Sequence, residues 1–95
     1  QSMRAPDFVG RFGGEEFLVI LENCSMEKAI GVADRIRKNV AESPIDLGDS
    51  NFLNVTISGG LCKSMSGMPI DGVLRRADAA LYKAKRSGKN QIVVI

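Results

Sequence analysis

Arg11-Phe12-Gly13-Gly14-Glu15-Glu16-Phe17 is the stretch on which the fold turns. Its two glycines divide one apolar arm, Phe8-Val9 and Phe12, from another, Phe17-Leu18-Val19-Ile20-Leu21. Two β-forming runs meeting at Gly-Gly predict a β-hairpin over Asp7 to Leu21. The second arm is apolar throughout, the pattern of a strand covered on both faces. At the tip, residues without a Cβ let backbone lie close against a ligand. Two carboxylates follow at once, the residue type that holds Mg²⁺ against phosphate groups. Neighbouring strand residues point to opposite faces, so Glu15 and Glu16 share one ion only if the turn rotates one of them. Taken alone, the same residues also describe an ordinary hairpin with two solvated glutamates.

Downstream, Asn23-Cys24-Ser25 supplies helix-capping side chains, with Glu27 in a favourable first-turn position. Ala29, Val32, Ala33, Ile36 and Val40 recur at helical spacing, and Ser43-Pro44 stops the helix. Leu47 to Asn51 reads as a loop. Phe52 to Ser58 alternates and is β-branched, which predicts a strand ending at Gly59-Gly60. A second helix is predicted from Ile70 to Arg86, with Val73, Leu74, Ala77, Leu81 and Ala84 on one face and Gly88 as its C-terminal cap. Gln91 to Ile95 closes the chain as a strand. The order ββαβαβ over residues 1–95 gives one α+β domain, with helices layered on a mostly antiparallel sheet. No obvious strand remains to occupy the centre of that sheet.

Composition narrows the chemistry. The chain has 95 residues and no histidine, so any catalysis must use carboxylates, lysines, backbone amides or a hard metal ion. Cys24 and Cys62 have no metal-type spacing and are expected as reduced, partly buried thiols. No apolar run is long enough to span a bilayer, and the N-terminus does not resemble a signal peptide, so a cytoplasmic segment without membrane contact is expected. The net charge is +2, yet Arg75 to Lys89 holds six basic residues and one acid, leaving the rest of the chain acidic on balance. Such a division suits a phosphate-rich ligand with a divalent metal, or simply a solvated helix face. Aromatics are not interleaved with the basic residues, which argues against a module that stacks nucleic-acid bases.

Gly13-Gly14-Glu15-Glu16-Phe17 resembles the signature of GGDEF domains, in the variant with Glu at the third position. The flanks are similar too, Asp7 to Phe12 before it and Leu18 to Leu21 after it. Val55-Thr56-Ile57-Ser58-Gly59-Gly60 resembles the family's next strand motif, and Ala77 to Asn90 resembles its closing helix and loop. These segments stand in family order and spacing across the chain. The resemblance implies a palm-like (ferredoxin-like, nucleotidyl-cyclase) fold and a diguanylate cyclase. In that reaction two GTP-loaded domains meet, the 3′-hydroxyl of each GTP attacks the α-phosphate of the other, and cyclic di-GMP and pyrophosphate result.

By the same resemblance Glu15 is the catalytic, metal-binding acid, and Glu16 a second metal-site or nucleotide contact, with Mg²⁺ or Mn²⁺ as the cofactor. Gly13 and Gly14 lie against GTP, Lys85 and Lys89 match the family's phosphate-binding pair, and Arg11 is a further candidate contact. Lys89 replaces the usual arginine, keeping the charge but losing the bidentate grip. Arg4-Ala5-Pro6-Asp7 resembles the family's RxxD product-inhibition site, with Arg35 as its additional arginine. Asp78 is expected as a helix-surface ion-pair partner and Tyr82 as a packing residue with a polar tip.

The family's first strand, with an aspartate metal ligand, and the helices carrying guanine contacts would precede Gln1. The implied parent is a homodimeric, cytoplasmic enzyme, in which any membrane anchor would belong to an N-terminal region outside this segment. The chain alone is expected to be inactive and to associate, with strands paired or exchanged between copies across an exposed groove. The alternative is a GGDEF domain that binds GTP or cyclic di-GMP as a regulator without catalysis.

Overall fold

The computed structural model describes residues 8–13, 17–22, 24–64 and 67–95. The hairpin forms as expected: β1 (Phe8–Gly13) and β2 (Phe17–Leu21) run antiparallel, with Phe8 opposite Leu21 and Phe12 opposite Phe17. The intervening tip, Gly14 to Glu16, lies outside the described residues. Helix α1 (Met26–Ala41) starts where Ser25 caps it, the hydroxyl accepting from the Lys28 backbone N–H at 3.2 Å.

Two expectations are corrected between α1 and the next core strand. The stretch read as a loop is a two-stranded hairpin, β3 (Ile45–Gly48) and β4 (Asn51–Leu53). Its polar residues are the turn itself: Gly48, Asp49 and Ser50 all have positive φ, and the Asp46 carboxylate accepts from the Gly48 N–H. The strand predicted over Phe52 to Ser58 is displaced. Residues 54–57 are not strand, and β5 (Ser58–Lys63) begins where the prediction ended. Gly59 and Gly60 do not terminate it; they lie inside it because neighbours on both faces come too close for a side chain. A Cβ on Gly59 would stand 2.9 Å from the Phe12 ring, and one on Gly60 only 2.4 Å from the Ala77 carbonyl oxygen of α2.

Helix α2 (Ile70–Arg86) matches its prediction in both bounds, and β6 (Ile92–Val94) follows it. The main sheet has the order β2-β1-β5-β6, antiparallel except for the parallel β5–β6 pair joined through α2. Its α1 face buries Phe8, Phe12, Ala29, Ala33 and Leu61, and its other face buries Val9 and Cys62 against Val73 and Ala77 of α2. Both cysteines are buried free thiols, one on each face.

Among the described residues no groove separates the strands of the main sheet. β1 pairs directly with β5 over six residues, so these two take the central places that the sequence left vacant. β2 is covered on one face only among the described residues. Val19 and Leu21 pack into the α1-side core, whereas Leu18 and Ile20 are 41% and 47% exposed, against the expectation of a strand buried on both faces.

Candidate functional site

The end of β1 brings three of the sequence-derived site residues together. Gly13 pairs with Ser58 at the start of β5. A Cβ on Gly13 would lie 2.5 Å from Lys85 Cε and 2.7 Å from its Nζ, so the lysine occupies the space that glycine leaves open. Lys85 reaches there from the last turn of α2, where its charge also complements the exposed helix carbonyls. Lys89 stands in the loop after α2. Gly13, Lys85 and Lys89, with Thr56 and Ser58, line a cavity of about 370 Å³.

The loop that carries Lys89 is built on three consecutive residues with positive φ, Gly88 at 115°, Lys89 at 62° and Asn90 at 48°. Gly88 ends the helix in a Schellman arrangement, with the Lys89 N–H donating to the Ala84 carbonyl at 3.0 Å. Lys89 bears a side chain in a conformation that costs about 1 kcal/mol or more, so the loop needs external support. Ser58, only 3% exposed, gives it: its hydroxyl accepts from the Asn90 N–H at 3.1 Å. Gln91 adds side-chain bonds to the Ser87 and Lys89 carbonyls. A fourth tie comes from α1, where the Arg37 guanidinium donates to the Asn90 side-chain oxygen at 2.8 Å.

Arg37 is itself fixed by Asp34, whose carboxylate accepts from Nε at 2.7 Å. That bond, with the charges of Arg37 and Lys38, holds the Asp34 carboxyl below the usual carboxylate range despite an opposing effect of burial. At Cys62 burial is the larger effect, and it pushes the thiol above its ordinary value of 9.0 against a smaller opposing pull from Arg76.

The other named residues fall elsewhere. Arg11, two residues before Gly13, is not in the cavity wall; its Nε lies 3.3 Å from Asp78 of α2. Asp78 is thus an ion-pair partner across elements rather than along its own helix. Arg35 is exposed on α1, in a shallow depression with Ile30, Gly31, Asp34 and Lys38. Tyr82 is more polar tip than packing: it is 60% exposed, with the Arg86 guanidinium 5.6 Å above its ring. Arg4, Asp7, Gly14, Glu15 and Glu16 lie outside the described residues. Sequence reasoning missed Thr56 and Ser58 as cavity residues, although both lie in a motif it singled out. It also missed Arg37, which no local pattern marks.

Among the described residues no cluster of carboxylates, cysteines or histidines could hold a metal. No acid among them pairs with Lys85 or Lys89 either. The cavity wall offers two ammonium groups, two hydroxyls and open backbone. It fits anionic oxygens, and a cation could be held only by acids beyond that wall.

An α+β sheet with a helix on each face and a cationic cavity at one strand end defines a palm-like domain suited to a phosphate-bearing ligand. The chain matches the family model "Diguanylate cyclase, GGDEF domain" over residues 1–91, and it belongs to the GGDEF family. It is 41% identical to diguanylate cyclase A of Treponema denticola over 92 residues, which cover 96% of this chain and 24% of that protein. The structure resembles the diguanylate cyclase SiaD of Pseudomonas aeruginosa, solved with its activator SiaC, at a TM-score of 0.80 and 38% identity over 98% of this chain and 35% of that one. It likewise resembles the GGDEF domain of DgcB from Caulobacter crescentus, solved with c-di-GMP, at a TM-score of 0.78 and 31% identity over 86% of this chain and 48% of that one. The chain therefore spans about a quarter of the curated relative's length and about half of the solved DgcB domain. No helix among the described residues is long and apolar enough to cross a membrane.

Proposed function

We propose that this chain supplies the phosphate-binding part of a diguanylate cyclase that condenses two GTP into cyclic di-GMP across a homodimer. The observation that carries this reading is the meeting of Gly13, Lys85 and Lys89 around one cavity, with Gly13 standing just before Gly14-Glu15-Glu16 in sequence. Lys85, lying across the backbone of Gly13, and Lys89, on the loop that Ser58 supports, would hold the phosphates of GTP. Their fixed charges stabilise the extra negative charge that develops on the α-phosphate as the partner's 3′-hydroxyl attacks in line. The open face of Gly13 lets the nucleotide lie against β1. Arg11, partly neutralised by Asp78, stands on the same strand as a further anion contact.

Glu15 and Glu16 are the residues we assign to Mg²⁺ or Mn²⁺, on their resemblance to the family's signature acids; the described cavity wall has no carboxylate of its own. When bound, the ion supplies charge neutralisation of the phosphates and activation of the attacking oxygen. Arg35, together with Arg4 and Asp7, is assigned to a separate site for cyclic di-GMP, through which product restrains the enzyme. The arginine forks suit guanine edges and phosphates.

The 95 residues alone are proposed to be inactive, since solved relatives use about twice this length. The test is conversion of GTP to cyclic di-GMP with Mg²⁺, by the chain itself and by a domain-length protein in which an upstream half taken from a solved relative precedes it. Product is expected only from the longer protein, and Glu15→Gln there should reduce turnover by about 10²-fold or more. Turnover by the 95-residue chain would refute the division of labour. A domain-length protein that binds GTP without converting it would favour the regulatory role instead.

A further inference from the structure

The loop bearing Lys89 is held from a direction that phosphate binding does not explain. Ser58, Gln91 and the end of α2 all lie beside it in the sheet or the chain, whereas Arg37 reaches it from α1, 53 residues away in sequence from its partner Asn90. The contact is specific. Nη1 donates to the Asn90 side-chain oxygen at 2.8 Å and approaches the Asn90 backbone carbonyl at 3.4 Å, while Nε is occupied by Asp34 at 2.7 Å. The guanidinium is thus oriented at one edge by its own helix and grips the loop with the other. With its side chain only 17% exposed, it is not a mobile surface arginine.

Asn90 is the keystone on the other side. Its N–H is bound to Ser58 of β5 and its side chain to Arg37 of α1, and its own left-handed conformation directly follows that of Lys89. A loop of three consecutive left-handed residues has competing conformations of similar energy once its outer ties are cut. Rotation about the Lys89 backbone would swing the ammonium away from the cavity it shares with Gly13 and Lys85.

We propose that Arg37 is a positioning residue for the phosphate site: by gripping Asn90 it fixes the left-handed loop that places Lys89 on the cavity wall. This rests on the cavity's being a phosphate site. The effect is preorganisation, in which a cation held in place before the ligand arrives need not be ordered by it.

Inorganic tripolyphosphate is the probe, titrated into the chain and followed by amide chemical shifts, with amide exchange measured alongside. Arg37→Met keeps the aliphatic stem and removes the donors. It should weaken tripolyphosphate binding about tenfold, as expected for loss of a charge-assisted hydrogen bond. It should also speed exchange at Lys89 and Asn90 while leaving the amides of β1 and central α2 unchanged. Asn90→Ala should do the same, and the double variant should be no weaker than the weaker single one, because the two residues act through one bond. Asn90→Ala, at an exposed position, carries the test alone if Arg37→Met costs the fold. Tripolyphosphate affinity that survives either substitution, with Lys89→Met still weakening it, overturns this inference and leaves the phosphate site standing. Wild-type chain that takes up no tripolyphosphate overturns both.

Discussion

Gly60→Ala offers the sharpest test of how this domain is assembled. A methyl group there would point at the backbone of α2, 2.2 Å from the Leu81 nitrogen, 2.4 Å from the Ala77 oxygen and 2.8 Å from the Ala80 carbonyl carbon. Ordinary contact begins at 3.4 Å, so the helix must retreat by about 1.2 Å or the strand must buckle by as much. Neither side has a flexible side chain that could move instead. A gap of that size forfeits up to about half of the dispersion energy along the interface. The interface in question seats Val73, Ala77, Ala80, Leu81 and Ala84, all buried. Overpacking with so little freedom to relax should cost about 3 kcal/mol, a large share of the roughly 5–15 kcal/mol that stabilises a small domain. Thermal and urea unfolding followed by circular dichroism measure it, with a drop of roughly 12–24 °C in Tm expected at this chain length. Gly31→Ala is the control. Nothing lies within 4 Å of its Cβ, and in the interior of α1 the same change should stabilise by about 0.5–1 kcal/mol. A Gly60→Ala variant that unfolds within about 1 kcal/mol of wild type would show that α2 does not rest on β5 as described.

Further outcomes follow from other contacts. Gly13→Ala clashes with the flexible tip of Lys85 and otherwise meets only Leu81 Cδ1, at an ordinary 3.4 Å. It should therefore leave stability within about 0.5 kcal/mol yet weaken tripolyphosphate binding as much as Lys85→Ala does; normal binding would show that Lys85 is not needed at the strand end. Cys62 holds its proton more tightly folded than unfolded, so its contribution to stability is complete below pH 9.0 and falls as pH rises past that value. Urea midpoints from neutral to alkaline pH should therefore decline more steeply for wild type than for Cys62→Val, and equal slopes would refute the assignment. Arg4→Ala in a domain-length protein should abolish calorimetric binding of cyclic di-GMP at the product site, and unchanged affinity would remove Arg4 from it.

How much of this was legible in the sequence depended on where the causes lie. Helix α2 was readable in both bounds because its apolar face repeats along its own sequence and Gly88 marks its end. The hairpin was readable because Gly13-Gly14 separates two apolar arms. β5 was not, since glycine inside a strand reads as a terminator until Ala77 and Leu81 are seen pressing on Gly60 from the other layer. Phe52 to Ser58 alternates as a strand should, yet only its first two residues pair with β3, and only Ser58 joins the main sheet. Within the site, Gly13, Lys85 and Lys89 were named from motifs and meet in space. The bond from Arg37 to Asn90 had no sequence signal, because neither partner constrains the residues around the other.

The β3–β4 hairpin has a consequence of its own. It is exposed at Leu47 (62%) and Phe52 (61%), and it packs on its own two strands far more than on any other element. Energetically it is a bracket hung outside the cooperative unit, joining α1 to β5 without bracing either. Halving such a connection changes the entropy of closing it by only about 0.6 kcal/mol. Such a bracket should therefore tolerate changes of length and sequence, and a reporter peptide spliced between Asp49 and Ser50 should ride on the domain without disturbing the cavity at the end of β1.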